Sequence, residues 1–461
     1  MLFFNKPPIN KSGKSPQLKT LPNSIENPVK VALKNVGCKL NAYEVEALSR
    51  VFHTKGYQVV PFNSNADVYV VNTCTVTGSG DSDSRKAVRK ARRNNPDATV
   101  VATGCYAQRC PDELDEAGAD LILGNDRKNE LVDQVEFLRN GSLPLVQSTD
   151  THIQKAHFLN IDGRVEGGRT RGMLQVQDGC DEHCTYCIIP SVRGKSISRP
   201  KNEIIDQARR MVESGYKELA LTGIHTGSYG YELDDKLALV SLLEALETIP
   251  NLLRIRLNSI EPAYISDELI DYASQSKIFC RHFHIPLQSG SNITLKKMGR
   301  HYSRHHYANR VEKITRSIPD CGIGADVMVG FPGESENDFL ETFNLIRDLP
   351  MTYLHVFPFS KRDGTAAVRI RNHCSDEIKK DRSKRLIELG KIKRRKFNTR
   401  HMGSIINPLV EDKETQNNKI HVGVTDNYVK AIIAGPAEAG EIVSIKVEKV
   451  REDVVYGTVI K

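Results

Sequence analysis

The sequence predicts an α/β protein with an N-terminal doubly wound domain, a central partial (β/α)6 barrel and a small C-terminal β-barrel. Three observations support this prediction. Short β-branched runs alternate with amphipathic stretches over most of the chain, the rhythm restarts with longer units at Gly172, and short strands dominate after Arg400. A length of 461 residues also exceeds one ordinary core, so several domains are expected.

The N-terminal domain is predicted over residues 30–140 and is flavodoxin-like. Its predicted strands are 29–36, 67–71, 98–103 and 120–123, with helices at 41–55, across the basic run after residue 84, and at 129–139. Residues 1–29 lack the apolar core of a secretory signal, so we predict a flexible extension, with a transit peptide as the alternative.

A polar, glycine-containing linker is predicted over 141–171, followed by the barrel over 172–398 and the C-terminal β-barrel over 399–461. The barrel strands are predicted at 173–177, 218–222, 254–258, 282–286, 323–329 and 353–357. The last domain is predicted to contain strands at 421–424, 428–433, 441–446 and 454–460.

Composition narrows the class of protein. Hydrophobic residues make up 39% and charged residues 26%, which excludes a fibrous or wholly disordered chain. No run approaches the ~20 apolar residues of a membrane helix, so we expect a cytoplasmic protein without membrane contact. Ten cysteines without a secretory signal indicate metal ligands or core thiols rather than disulfides.

Positive charge is concentrated in two segments. The net charge is +8, yet 379–400 holds eleven Lys or Arg against two acids, and 85–93 holds no acid. Such clusters favour a polyanion, most often nucleic acid. A solvated helix face is the alternative for either run alone.

Three cysteines follow the first predicted barrel strand. Cys180, Cys184 and Cys187 lie within eight residues on one loop, which can bind three irons of a four-iron cluster and leave the fourth open. An open position is typical of a catalytic metal centre, and carboxyl ends of barrel strands carry active sites. Zinc is the main competitor, but no second ligand pair fits it.

Three further cysteines end the first three predicted strands. Cys38, Cys74 and Cys105 should therefore converge at one edge of the sheet, where open α/β sheets bind ligands. Any one alone would more often be a buried thiol, but together they predict a second three-cysteine cluster. We predict structural roles for the cysteines outside both groups: Cys110, Cys280, Cys321 and Cys374.

The Cys-x3-Cys-x-Tyr-Cys loop from Cys180 to Cys187 resembles the signature of the radical S-adenosylmethionine enzymes. The resemblance implies that the open iron chelates S-adenosylmethionine and that an electron from a donor such as a flavodoxin or ferredoxin yields a 5′-deoxyadenosyl radical. It also implies that Tyr186 lies beside the adenine, an ordinary packed aromatic being the alternative.

The three-domain arrangement over about 30–461 resembles the methylthiotransferases of that superfamily. The resemblance implies two [4Fe–4S] clusters, of which the one at Cys38, Cys74 and Cys105 supplies sulfur, and a second S-adenosylmethionine as methyl donor. It also implies a TRAM-like C-terminal barrel that binds RNA.

Several motifs resemble the subgroup acting on N6-threonylcarbamoyladenosine at position 37 of tRNA. They are Gly-Cys-Lys-Leu-Asn at 37–41, Thr-Gly-Ile-His-Thr-Gly-Ser-Tyr-Gly at 222–230, Asn-Ser-Ile-Glu-Pro at 258–262 and the segment 356–365. The segment 190–194 is closer to forms in the branch that modifies a ribosomal-protein aspartate. That activity, and the modification of isopentenyladenosine in tRNA, are the alternatives.

Polar and glycine residues after the barrel strands are expected to contact S-adenosylmethionine or the base. These candidates are Gly223, Ser259, Glu261 and Gln288, with turn formation as the alternative for the glycine. Arg193 and Arg199 are candidates for a substrate carboxylate or phosphate, with salt bridges as the alternative.

The predicted partner is the anticodon stem-loop of tRNA. The target base must leave its stack to reach a radical inside the barrel, and the basic helix and C-terminal barrel would hold the RNA backbone. A zinc-containing RNA-binding protein without catalysis is the remaining hypothesis.

Overall fold

The computed structural model describes residues 28–141, 158–161, 170–411 and 420–460. The predicted extension at 1–29 and linker at 141–171 therefore lie largely outside the described residues. Within the described ranges, no helix combines the length and apolar character required to cross a bilayer.

The N-terminal domain is a five-stranded parallel sheet with helices between its strands. The strands are β1 (Lys30–Asn35), β2 (Gln58–Val60), β3 (Val68–Thr73), β4 (Thr99–Gly104) and β5 (Leu121–Leu123). The helices are α1 (Lys39–Thr54), α2 (Gly78–Asn94), α3 (Cys105–Arg109), α4 (Pro111–Asp115) and α5 (Leu131–Arg139). The strand order β2-β1-β3-β4-β5 is that of flavodoxin-like folds, which confirms the predicted fold class.

The burial of each strand explains whether the sequence predicts it. Every residue of β3 is buried, and such a central strand appears as a continuous apolar run. β2 was not predicted because it is a three-residue edge strand with no buried residue.

The central domain contains six parallel strands in a partial barrel, as predicted, and a small antiparallel pair. Its strands are β6 (Gly172–Gln175), β7 (Gln177–Asp178), β8 (Ile197–Ser198), β9 (Glu218–Thr222), β10 (Arg254–Leu257), β11 (His282–His284), β12 (Gly322–Val329) and β13 (Tyr353–Pro358). Its helices are α6 (Ile189–Arg193), α7 (Lys201–Glu213), α8 (Ala238–Glu247), α9 (Asp267–Gln275), α10 (Asn292–Lys297), α11 (Arg304–Ser317), α12 (Glu336–Asp348) and α13 (Asp376–Thr399).

The barrel strands form two parallel sheets, β6-β9-β10 and β11-β12-β13. Single parallel bridges, Ile255 to Phe279 and Ser259 to His284, join the two sheets between β10 and β11. One hydrophobic core runs from the α1 face of the first sheet into this barrel. Leu159 and Ile161, inside the predicted linker, are buried in that same core.

The C-terminal domain is a strand-rich half-barrel. Its strands are β14 (Ile405–Ile406), β15 (Leu409–Glu411), β16 (Ile420–Val424), β17 (Lys430–Ala434), β18 (Ile445–Arg451) and β19 (Val454–Val459), ordered β14-β18-β19-β17-β16-β15. The strand predicted at 441–446 was misplaced, because the actual strand is β18. A β-bulge between Val447 and Lys449 interrupts the alternation of buried and exposed residues that marks a strand.

Candidate iron–sulfur site

The cysteine loop of the barrel lies between the paired strands β7 and β8. Gly179 begins it with φ +70°, and a Cβ there would lie 1.8 Å from the Lys195 carbonyl oxygen, so only glycine fits. The Cys180 amide donates to the Gly194 carbonyl at 3.1 Å, and the Cys187 amide donates to the Cys184 carbonyl at 3.0 Å. These backbone hydrogen bonds fix the loop, and the Glu182 amide also donates to Cys180 Sγ at 3.4 Å.

Arg300 is the cation beside this loop. Its Nη1 donates to Cys184 Sγ at 3.0 Å, and the guanidinium forms an ion pair with Glu261. Burial raises the pKa of Cys180 to about 12 and that of Cys187 to about 11. Thiolate ligands at these positions therefore require the positive charge of bound metal.

The N-terminal cysteines lie at the carboxyl ends of neighbouring strands. Cys38 precedes α1, Cys74 follows β3, and Cys105 begins α3 directly after β4. Charge interactions connect Cys74 with both Cys38 and Cys105, so the three thiols share one region. Gly37 allows this convergence, because a Cβ there would lie 2.6 Å from Cys74 Sγ.

A buried arginine connects the two domains beneath this group. Arg193 donates from Nε to Cys105 Sγ at 3.2 Å and from Nη1 to Glu44 Oε1 at 3.1 Å and Asp178 Oδ2 at 3.0 Å. Lys128 Nζ lies 2.7 Å from the other oxygen of Glu44. Burial opposes ionisation of Glu44, but Arg193 and Lys128 hold its pKa at about 2.

The two cysteine groups lie next to each other across the domain boundary. Cys105 packs with Ile188 and Val192, which follow the barrel loop. A charge interaction also connects Cys105 with Cys187. The structure thus brings together two sets of thiols that are far apart in the sequence.

The spacing of the thiols distinguishes between zinc and a cluster. Among the described residues, which include all six cysteines, neither cysteine group has its Sγ atoms within 4.8 Å of one another. A single zinc ion with Zn–S bonds of about 2.3 Å would need sulfurs about 3.8 Å apart. This spacing is too wide for one zinc ion to bind all three thiols of a group, whereas separate irons of one cluster allow a wider spacing.

The candidate S-adenosylmethionine contacts have different surroundings. Tyr186 packs against Phe331, with ring centroids 6.3 Å apart, and burial raises its pKa well above the usual value. Gly223 lies against Gln177, whose carbonyl oxygen would be 2.9 Å from an added Cβ. Ser259 is exposed after β10, and Glu261 is paired with Arg300.

Gln288 shows the features expected of a binding residue. It has φ +59°, and its buried Oε1 accepts no hydrogen bond from the described residues. Backbone strain and an unsatisfied buried acceptor together fit contact with a ligand. Its role, like those of Tyr186, Gly223, Ser259 and Glu261, stays a prediction.

Two arginines considered for substrate binding have structural partners instead. Arg193 binds Cys105, Glu44 and Asp178. Arg199 is buried, hydrogen-bonds Gln207, and donates to Asn160 Oδ1 at 2.5 Å. Sequence reasoning missed the role of Arg300 altogether, because no local spacing connects it to Cys184.

The two basic runs lie on helices α2 and α13, but only some of their cationic side chains are exposed and the others are paired within the fold. On α2, Arg85 pairs with Glu113 and Arg92 with Asp120, whereas Arg89, Lys90 and Arg93 are exposed. On α13, Arg382 forms a buried pair with Glu334 at 2.6 Å, and Arg394 lies over the Tyr353 ring. The exposed cations of α13 include Lys380, Lys384, Arg395 and Lys396.

Comparisons with known proteins identify the family. Residues 30–124 match Uncharacterized protein family UPF0004, and residues 174–346 match the Radical SAM superfamily. The chain is 40% identical, over 91% of its length and 94% of the relative, to threonylcarbamoyladenosine tRNA methylthiotransferase MtaB of Bacillus subtilis. It is 30% identical, over 95% of its length and 97% of the relative, to tRNA-2-methylthio-N(6)-dimethylallyladenosine synthase of Desulforamulus reducens.

Among solved structures, the radical S-adenosylmethionine methyltransferase TsrM of Kitasatospora setae has the same fold, with a TM-score of 0.53. The match is 15% identical and covers 72% of this chain and 75% of that one. The family match over 174–346 and these relatives thus identify a radical S-adenosylmethionine enzyme. The chain belongs to the tRNA methylthiotransferase family of that superfamily, whose cofactors are S-adenosylmethionine and [4Fe–4S] clusters.

Proposed function

We propose that this protein adds a methylthio group to C2 of N6-threonylcarbamoyladenosine at position 37 of tRNA, in the cytoplasm. The observation that carries the proposal is the pair of adjoining cysteine groups, connected by the packing of Cys105 on Ile188 and Val192. Relatives named for this substrate, at 40% and 38% identity, support it over the dimethylallyl substrate of relatives at 30%.

The cofactors supply, when bound, a carbon radical, a sulfur atom and a methyl group. We propose Cys180, Cys184 and Cys187 as ligands of the cluster that binds S-adenosylmethionine, and Cys38, Cys74 and Cys105 as ligands of the auxiliary cluster. A donor such as a flavodoxin or ferredoxin would supply the electron.

The chain's own residues would hold these groups in place. Arg300 would donate to the Cys184 sulfur while Glu261 fixes its guanidinium. Arg193 would do the same for Cys105 while Glu44 and Asp178 fix it. Hydrogen bonds of this kind to cluster sulfurs tune the reduction potential of a cluster.

A comparison of digested tRNA tests the proposal. We expect tRNA from a strain lacking this protein to lose 2-methylthio-N6-threonylcarbamoyladenosine and to retain the unmethylthiolated nucleoside, as measured by mass spectrometry. The wild-type gene should restore the modification, whereas a Cys184→Ala variant should not. Unchanged tRNA, or loss of the methylthio-dimethylallyl nucleoside instead, would refute the assignment of the substrate.

A further inference from the structure

Lys39 is a cation without an acidic partner beside the proposed auxiliary cluster. It directly follows Cys38 and begins α1, and its side chain is exposed. Its Nζ donates to Asn258 Oδ1, after β10, at 3.0 Å. No carboxylate of the described residues lies within salt-bridge distance of Lys39, whereas the buried Arg193 pairs with Glu44 and Asp178.

The charged groups around Lys39 are paired with other residues and do not neutralise it. Desolvation by the surrounding protein lowers the pKa of Lys39, and the charged groups that act on it include Arg171, Arg256 and Asp326. Arg171 pairs with Glu411, and Arg256 pairs with Glu218. The Asp326 carboxylate is occupied by His284 Nε2 at 2.9 Å and His355 Nδ1 at 3.2 Å.

Asn258 adds a second unused donor. Because a lysine ammonium can only donate, it fixes the amide with Oδ1 towards Lys39. Asn258 Nδ2 is then a buried donor that makes no hydrogen bond with the described residues. The ammonium keeps donors beyond the one given to Asn258 Oδ1, and together with the unpaired amide N–H of Asn258 it complements a carboxylate.

We propose that Lys39 and Asn258 bind the carboxylate of the threonylcarbamoyl group on the target adenosine. This inference rests on the proposed function. In adenine, C2 and the C6 atom that carries N6 are the two ring neighbours of N1, so both lie on one edge of the base. A base whose C2 faces the Cys38 group therefore brings its N6 substituent towards Lys39, the residue after Cys38. A dimethylallyl group has no polar atom, so it would leave both donors unsatisfied and would be disfavoured.

A cycle of enzyme and substrate variants tests the proposal on the cluster-loaded enzyme. The substrates are an anticodon stem-loop RNA carrying threonylcarbamoyladenosine and the same RNA with its carboxylate blocked as a methyl ester. We expect the ester to lower kcat/KM of the wild type by ~10- to 100-fold, the scale of a charge-assisted hydrogen bond. Lys39→Gln should lose as much on the acid and nothing further on the ester.

Two further variants control for damage to the site. Lys34→Gln removes an exposed lysine of β1 and should leave both substrates unaffected. Asn258→Asp places a competing carboxylate against Lys39 and should mimic Lys39→Gln. Iron content and the dissociation constant of each RNA, from fluorescence anisotropy, separate a loss of recognition from a loss of the cluster.

The carboxylate of S-adenosylmethionine is the other source of the same chemistry. If Lys39→Gln raised KM for S-adenosylmethionine and kept the acid-to-ester preference in kinetics and RNA binding, the proposal would be overturned. A wild-type enzyme that modified neither RNA would refute the proposed function instead. In that case equal binding of the acid and ester RNAs by the wild type would also refute the role of Lys39.

Discussion

Single buried charges define this site at the level of residues. Arg193 is almost fully buried yet faces Glu44, Asp178 and Cys105 from two domains. Removing one partner from such a network leaves the others charged, buried and unpaired. The free energy of unfolding then falls by more than the intact network contributed to it. Arg300 has the same relation to Cys184 and Glu261 on the other side.

Replacing Arg193 should therefore destabilise the protein strongly. We expect Arg193→Met to lower the free energy of unfolding by ~3 kcal/mol or more, because Glu44 and Asp178 lose their buried cation. The measurement is urea unfolding of the anaerobically purified protein. The matched control is Arg209→Met, which removes an exposed pair with Asp206 and should cost less than ~0.5 kcal/mol. Equal losses in both variants would contradict the assigned role of Arg193.

At the level of elements, the ends of β1, β3 and β4 create the N-terminal cysteine group. The sequence shows the three cysteines at strand ends, and parallel pairing brings those ends to one edge of the sheet. Close packing then depends on Gly37, at φ +99°, whose missing side chain leaves room for Cys74.

Adding one methyl group at Gly37 should remove the auxiliary cluster selectively. A Cβ there would lie 2.5 Å from Cys74 Cβ, so we expect Gly37→Ala to contain about four irons per chain rather than about eight. Gly56→Ala is a matched control, because Gly56 also has positive φ but has no atom within 4 Å of the added Cβ. It should cost ~1 kcal/mol and retain about eight irons. Iron and sulfide analysis is the measurement. A loss of iron in Gly37→Ala alone indicates the steric effect, whereas an equal loss in both variants indicates backbone strain.

At the level of the whole molecule, some basic side chains of α13 are paired within the fold and others are exposed. Arg382 and Arg394 of α13 hold that helix against the barrel, while Arg395 and Lys396 are exposed. A count of positive charges along the sequence cannot make this distinction. The positive charge that this helix exposes is therefore smaller than the basic run at 379–400 indicates.

Removing the exposed pair should weaken RNA binding without unfolding the protein. We expect Arg395→Gln with Lys396→Gln to raise the dissociation constant for tRNA and to lower its logarithmic salt slope by about one to two. The measurement is a salt titration of binding. The control is Lys277→Gln, an exposed lysine outside α2 and α13, which should leave the slope unchanged. An unchanged slope in the double variant would exclude this face of α13 from the RNA contact.

The sequence by itself determined the order of domains, the six barrel strands and the two sets of cysteines. These features are local, since each depends on the periodicity of a short segment or on the spacing of a few residues. It placed one C-terminal strand wrongly, because a bulge between Val447 and Lys449 breaks that periodicity.

Only the tertiary structure decided which side chains meet across the domains. It places Arg193 under Cys105, Arg300 against Cys184, and Lys39 against Asn258, pairs separated by 88, 116 and 219 positions. The physical reason is that a charged side chain takes its role from its burial and its partners. Both are set by how the domains pack, which no local pattern of residues records.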